Sequence, residues 1–135
     1  MSILPSVDPS PPDAAIVVFE DRPASRALAH LRRGFRHCFC LLRRPVGWIV
    51  CDPLKSKLRI EVVAPYAAAE LGGHYRSIGM IAVLGAVAEP ASHRPTLRPL
   101  TCVEVVKRTV GVRSWAIWTP YQLYRALLAR GFTPL

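Results

Sequence analysis

The chain has 135 residues, of which 51% are hydrophobic and 20% are charged, so it can bury the core of one domain and is too apolar to be generally disordered. Its 18 Lys and Arg against 9 Asp and Glu give a formal net charge of +9, which favours anionic partners or substrates. No window approaches the roughly 20 apolar residues that cross a bilayer. Residues 1–5 lack the basic and apolar regions of a signal peptide.

The four cysteines form no CxxC pair, and no Cys/His set has the spacing of a zinc finger. This pattern predicts free thiols in a reducing compartment, with no metal and no cofactor. We therefore expect a protein that is cytoplasmic as synthesised and has no transmembrane segment.

Residues 1–13 contain four prolines with Ser and Asp between them. Proline removes backbone donors and prevents helix formation, so the segment predicts an extended arm rather than a folded element. The arm is suited to binding protein partners and is expected to make few contacts with its own domain. Residues 14–135 are then expected to form a single domain.

Five short apolar runs predict strands. Residues 35–42 and 47–52 are rich in aromatic and β-branched residues and are joined by an Arg-Arg-Pro-Val link, a pattern typical of a hairpin. Residues 57–63 alternate between apolar and charged side chains, which predicts a strand with one wet face. Residues 14–19 and 80–87 are apolar enough for buried strands, the second of them central.

Three further segments predict helices. Residues 23–33 and 65–71 are each followed by glycine, which favours a helix stop at Gly34 and at Gly72. The last helix has the clearest start, because Thr119 and Gln122 form a capping box around a proline at the first helical position, and Gly131 follows as its stop. Residues 89–99 hold three prolines without periodicity and predict a loop.

The most informative helix start is the one that carries a thiol. Thr101 and Glu104 have the spacing of a capping box and place Cys102 at the first helical position, and Gly111 would end the helix. Unpaired N–H groups and the helix dipole favour a thiolate there. The neighbouring β-branched valines suit a strand equally well, so the residue pattern leaves both structures open.

Three positions together have the chemistry of a nucleophilic site. A thiol such as Cys102 needs a base to become a nucleophile, and the base needs a group that holds its tautomer. His37 and Asp52 lie on the two strands of the predicted hairpin, where they can be neighbours on one face if the register matches. The remaining cysteines (Cys38, Cys40 and Cys51) alternate to the other face and are interpreted as core residues that resist ionisation.

A His-bearing strand, a second strand that ends in a polar partner, and then a Cys at a helix start follow one another in this chain. This order resembles circularly permuted papain-like hydrolases of the NlpC type, the superfamily that includes lecithin–retinol acyltransferase-like proteins. The resemblance is carried by residues 35–39, 48–53 and 101–104 and covers roughly residues 35–111. It implies an α+β fold in which a nucleophile-bearing helix packs on an antiparallel sheet. It also implies acyl transfer through a thioester, with Cys102 as nucleophile, His37 as base and Asp52 as orienter.

Other functions remain open from the residues alone. The order of elements from Cys102 through Lys107 and Gly111 to residues 119–123 also resembles small proteins encoded among bacteriophage tail genes. This second resemblance implies a structural or adaptor component, associated with a virion, that keeps the fold without turnover. A nucleic-acid module is supported by charge alone, because no recognised motif accompanies it.

Overall fold

The computed structural model describes residues 10–23, 30–54, 57–88 and 101–135. In these ranges the chain forms six strands and three helices. The strands are β1 (Ala14–Glu20), β2 (His37–Arg44), β3 (Gly47–Pro53), β4 (Leu58–Val63), β5 (Ile81–Ala86) and β6 (Thr133–Pro134). The helices are α1 (Ala68–Ser77), α2 (Cys102–Val110) and α3 (Pro120–Ala129).

The strands form one antiparallel sheet in the order β4-β3-β2-β1-β5-β6. The predicted α+β class and antiparallel sheet are therefore confirmed. The predicted hairpin is present as β2 and β3, but its turn is only two residues long, because Arg43 and Arg44 extend β2. Gly47 begins β3 at φ 139°, where a Cβ would collide with the Val63 carbonyl oxygen, so this position favours glycine.

The sheet has a core on each face. Helices α2 and α3 cover the face that carries Val17, Cys38 and Cys40, whereas α1 covers the face that carries Phe39 and Trp48. Strand β1 lies in the middle and is buried on both faces, which explains its unbroken apolar run.

The predicted starts of α2 and α3 are confirmed, and the ambiguity between helix and strand after Cys102 is settled in favour of the helix. Thr101 Oγ1 accepts a hydrogen bond from the Glu104 N–H at 3.3 Å, and Gly111 ends α2 in the left-handed conformation at φ 81°. Helix α3 has both bonds of the capping box between Thr119 and Gln122.

The buried Lys107 holds the segment between α2 and α3 by hydrogen bonds. Lys107 Nζ donates to Glu104 Oε1 at 2.9 Å and to the backbone carbonyls of Ser114 and Ile117 at 2.5 and 3.2 Å. Burial of an ammonium group is tolerated when it is paired and hydrogen-bonded in this way. The segment after Gly111 is thereby held against the first half of α2.

Two sequence predictions about local structure are wrong. Helix α1 does not end at Gly72 but begins at Ala68 and continues through both glycines to Ser77. Gly72 is needed inside the helix because a Cβ there would overlap the Leu135 side chain. Strand β4 lacks the predicted dry face: Leu58, Ile60 and Val62 are as exposed as its charged residues, because β4 is the outermost strand.

Other predictions fall largely on residues outside the described ranges. The described residues 30–33 are not helical, so the predicted helix does not extend to Gly34; the predictions that remain concern most of the arm over residues 1–13, residues 24–29 of that helix and the loop over residues 89–99. These stay predictions.

Candidate active site

The β2–β3 hairpin brings His37 and Asp52 together. Leu41 lies opposite Val50 in the register, so strand alternation places His37 and Asp52 on the same face of the sheet. His37 Nε2 and Asp52 Oδ1 are 2.7 Å apart, and both side chains are buried. The structure thus pairs these residues as the hairpin spacing predicts, and the carboxylate can hold one tautomer and one orientation of the ring.

A third residue holds the carboxylate. Arg59 lies opposite Asp52 in the β3–β4 register, and its Nε and Nη2 atoms are 3.3 and 3.1 Å from Asp52 Oδ2. The same guanidinium reaches Glu61 Oε1 at 2.9 Å. The alternation of residues 57–63 puts Arg59 on a charged strand face, but only the register of β3 with β4 identifies Asp52 as its partner.

Cys102 is the first residue of α2 and is half-buried. Helix α2 packs on the face that carries Cys38, and both the thiol and the backbone of Cys38 form hydrogen bonds with the Cys102 sulfur. The prediction that Cys38 is only a core residue on the face away from His37 is therefore incomplete. That face is the one that α2 covers.

His37 also interacts with the Cys102 sulfur. As the first residue of β2, His37 lies at the end of the strand, and Asp52 occupies its Nε2 atom. The other ring nitrogen, Nδ1, is buried and has no well-directed hydrogen bond to another described residue. The ring and the sulfur therefore interact without a hydrogen bond of standard geometry.

Cys102 and His37 have pKa values displaced in opposite directions. The hydrogen bond from the Cys38 thiol has the largest effect on the pKa of Cys102 and lowers it. Burial raises this pKa, whereas His37 and the Cys38 backbone lower it further, so that it falls from 9.0 to about 5. Burial favours neutral His37, but hydrogen bonds and charges from Asp52 and Cys102 outweigh it and raise its pKa from 6.5 to about 9. Between these values the pair is a thiolate and an imidazolium.

Two carboxyl groups near His37 also have shifted pKa values. Burial would raise the pKa of Asp52, but His37 and Arg59 more than offset this effect, so the pKa is lowered and the carboxylate stays ionised. Glu20 lies opposite His37 on β1, and burial raises the pKa of Glu20. The imidazolium therefore has acidic groups on both neighbouring strands.

The other two cysteines form a second thiol pair. Cys40 and Cys51 are direct cross-strand partners, and a hydrogen bond joins their thiols. Donation from Cys40 lowers the pKa of Cys51 to about 7 against the effect of burial, with Arg44 assisting, whereas the pKa of Cys40 is raised. The prediction that Cys51 resists ionisation is thus wrong, because Cys51 is half-buried and accepts a hydrogen bond from a thiol. The pKa values of Cys38 and Cys40 are raised, as expected.

The site has the parts for nucleophilic chemistry without a metal cluster in the described part of the chain. Among those residues, no group of three or more His, Cys, Asp or Glu side chains could hold a metal ion. No helix within the described ranges is long and apolar enough to cross a membrane.

No family model, no curated protein and no solved structure matches this chain.

Proposed function

We propose that this protein is a thiol hydrolase or amidase with a permuted papain-like fold. It would cleave an acyl or peptide bond through a thioester on Cys102, with His37 as base and Asp52 as orienter. The observation that supports this most is the His37 ring, which lies between the Asp52 carboxylate and a sulfur at a helix start. The net charge of +9 suits an anionic substrate, such as a cell-wall peptide.

In the proposed reaction, the Cys102 thiolate attacks the acyl carbonyl carbon and forms a tetrahedral oxyanion. The first N–H groups of α2 have no partner within the helix, so the Cys102 N–H is suited to donating to this oxyanion. The His37 imidazolium then gives its proton to the leaving amine as the carbon–nitrogen bond breaks. A thioester and a neutral imidazole remain.

The second half of the reaction regenerates the thiolate. Neutral His37 takes a proton from water, which attacks the thioester carbonyl and releases the carboxylic acid. Asp52 keeps the Nε2–H of His37 engaged, so the other nitrogen remains directed towards the sulfur and substrate. Arg59 acts on this chemistry as a positioning residue, since it touches Asp52 rather than the reacting atoms.

A second proposal is an inactive structural or adaptor component, such as a protein of a phage tail, found in the virion after synthesis in the cytoplasm. The observation that favours it is the burial of His37, whose relative exposure is 1%, so that substrate would reach the pair only from the side of Cys102. In this role the His37–Asp52–Arg59 set would stabilise the end of the hairpin, and protein partners would bind through residues 1–13.

An activated ester separates the two proposals. The protein is incubated with p-nitrophenyl acetate near neutral pH, and intact-protein mass spectrometry and nitrophenol release are followed. An active thiol hydrolase gives one acetyl group on Cys102, followed by repeated turnover that Cys102→Ser and His37→Ala abolish. Cys51→Ser is the matched control, because it removes a thiol with a lowered pKa outside the proposed site.

The outcomes are distinct. Acetylation that stops after one equivalent, or that occurs equally in His37→Ala, supports the inactive component. If Cys102 is not acetylated in the native protein while Cys51 is, the proposed nucleophile is wrong.

A further inference from the structure

Strand β4 ends the sheet with an apolar row that is exposed to solvent. It pairs with β3 on one side and has no strand neighbour on the other among the residues that the structure describes. Ile60 and Val62 are 61% and 66% exposed, and Leu58 is 50% exposed. An exposed apolar edge strand is a template for pairing with another chain unless it is protected.

The apolar row lies on one face of β4. In the β3–β4 register Ile60 is opposite Cys51 and Val62 is opposite Ile49, so these side chains point to the side of the sheet that α2 covers. The row therefore extends an existing core beyond its last covered strand. A partner that continues the sheet would bury it without a new fold.

The other face of β4 carries two opposite charges. Arg59 and Glu61 are two residues apart and form a salt bridge, with 2.9 Å between Arg59 Nη1 and Glu61 Oε1. They lie symmetrically on either side of Ile60. This spacing makes the strand complementary to itself when it is reversed.

The charges select one register for such a self-pairing. If two antiparallel copies of β4 are centred on Ile60, Arg59 faces Glu61 of the second copy and Leu58 faces Val62. The next registers that keep matching faces place Arg59 opposite Arg59, or Glu61 opposite Glu61. Shifts by a single residue place apolar side chains opposite charged ones.

We propose that β4 is the interface of a two-fold symmetric dimer, in which the β4 strands of two copies pair antiparallel about Ile60 and join their sheets edge to edge. A two-fold interface uses the same patch on both subunits and therefore requires such self-complementarity. The dimer buries the apolar row from both copies and places two Arg59–Glu61 pairs across the new strand junction. This inference is independent of the proposed hydrolase activity.

The first test compares two isoleucines. Sedimentation analysis of the full chain is expected to give twice the monomer mass of 14.9 kDa, with dissociation on dilution. Ile60→Lys is expected to weaken the association at least about tenfold, because it places two ammonium groups face to face at the centre of the junction. Ile78→Lys is the matched control, since Ile78 is 55% exposed at the end of α1, is not part of β4, and should leave the mass unchanged.

The second test is a charge exchange. Arg59→Glu alone and Glu61→Arg alone each create like-charge pairs across the junction and should dissociate the dimer. A mixture of these two variants pairs opposite charges again and should form a heterodimer, and circular dichroism of each variant checks that it folds. The double variant Arg59→Glu/Glu61→Arg should also dimerise.

Three results would overturn the dimer. They are a wild-type chain that is monomeric up to about millimolar concentration, equal effects of Ile60→Lys and Ile78→Lys, or a mixture of the single charge variants that associates no better than either alone. Since acetylation of Cys102 is measured separately, failure of the dimer leaves the proposed hydrolase unaffected.

Discussion

Two thiol pairs lie on the same face of this sheet, and the surroundings of their half-buried cysteines differ. In each pair a buried cysteine donates to a half-buried one, Cys38 to Cys102 and Cys40 to Cys51. The pKa of the acceptor falls to about 5 for Cys102 but only to about 7 for Cys51. Donation from a thiol is common to both pairs, so the further decrease comes from what surrounds Cys102.

The groups that surround Cys102, and are missing at Cys51, are those that the proposed nucleophilic reaction requires. His37 supplies a positive charge and an exchangeable proton, and the Cys38 backbone adds a second hydrogen bond to the sulfur. The helix start adds unpaired N–H groups. Cys51 lies within a strand and has the Arg44 charge nearby but no base among the groups that shift its pKa. We therefore expect Cys51 to ionise without catalysing turnover.

The largest expected effect is a difference in thiol reactivity at mildly acidic pH. With pKa values of about 5 and about 7, Cys102 and Cys51 differ roughly tenfold in thiolate fraction at pH 6. Limiting iodoacetamide should label Cys102 first, with midpoints in the pH profiles near those two values, as read by peptide mass spectrometry. Equal labelling of all four cysteines in the native protein would remove the basis for a catalytic Cys102.

The next largest effect is expected from removal of the His37 imidazole, which should reduce the difference in labelling between Cys102 and Cys51. His37→Ala removes a positive charge and a polar contact from the Cys102 sulfur, so the pKa of Cys102 should rise. A rise of about one unit lowers the thiolate fraction at pH 6, and with it the labelling rate, roughly twofold. Labelling of Cys51 in the same sample is the internal control and should not change. If Cys102 reacts as fast as before, His37 is not the partner of the thiolate.

The two donor thiols provide a matched pair of changes. Cys38→Ala should raise the pKa of Cys102 and leave Cys51 unaltered, whereas Cys40→Ala should raise the pKa of Cys51 and leave Cys102 unaltered. The effect at Cys102 should be comparable with that of His37→Ala, because the Cys38 thiol is the largest single cause of the lowered pKa of Cys102. pH profiles of alkylation measure both shifts, and a crossed or absent effect would contradict the two separate pairs.

The smallest expected effect is on the pH dependence of stability. The lowered pKa of Cys102 adds stability that is fully present above pH 9.0 and is lost as pH falls through about 5. The raised pKa of His37 adds stability that is fully present below pH 6.5 and is lost as pH rises through about 9. Together they predict an unfolding free energy that rises from about pH 5 to 6.5 and is then level to about pH 9.

Urea denaturation at a series of pH values measures this curve. The reference is the double variant Cys102→Ser/His37→Gln, which lacks both titrating groups while keeping the rest of the chain. Identical pH profiles for the wild type and the double variant would show that the thiolate and imidazolium do not form in the folded protein.

Short-range structure was the part that the sequence determined by itself. The N-cap bond of Thr101 and the capping box at Thr119 define the starts of α2 and α3, because these hydrogen bonds span only three residues. Alternation along the predicted hairpin also indicated that His37 and Asp52 can share a face, whereas the register that pairs them follows from the two-residue turn, which the predicted four-residue link did not give.

Tertiary packing determined features that the alternation of side chains along a strand does not predict. Strand periodicity separates the faces of a sheet but does not say which face a distant helix covers, so the contact of Cys38 with Cys102 appears only once α2 is placed. The same limit applies to α1, which continues through Gly72 because Leu135 packs against it, and to Ile60, whose exposure follows from the position of β4 at the sheet edge. Burial and long-range neighbours, which depend on the whole fold, set these outcomes and also the pKa of Cys51.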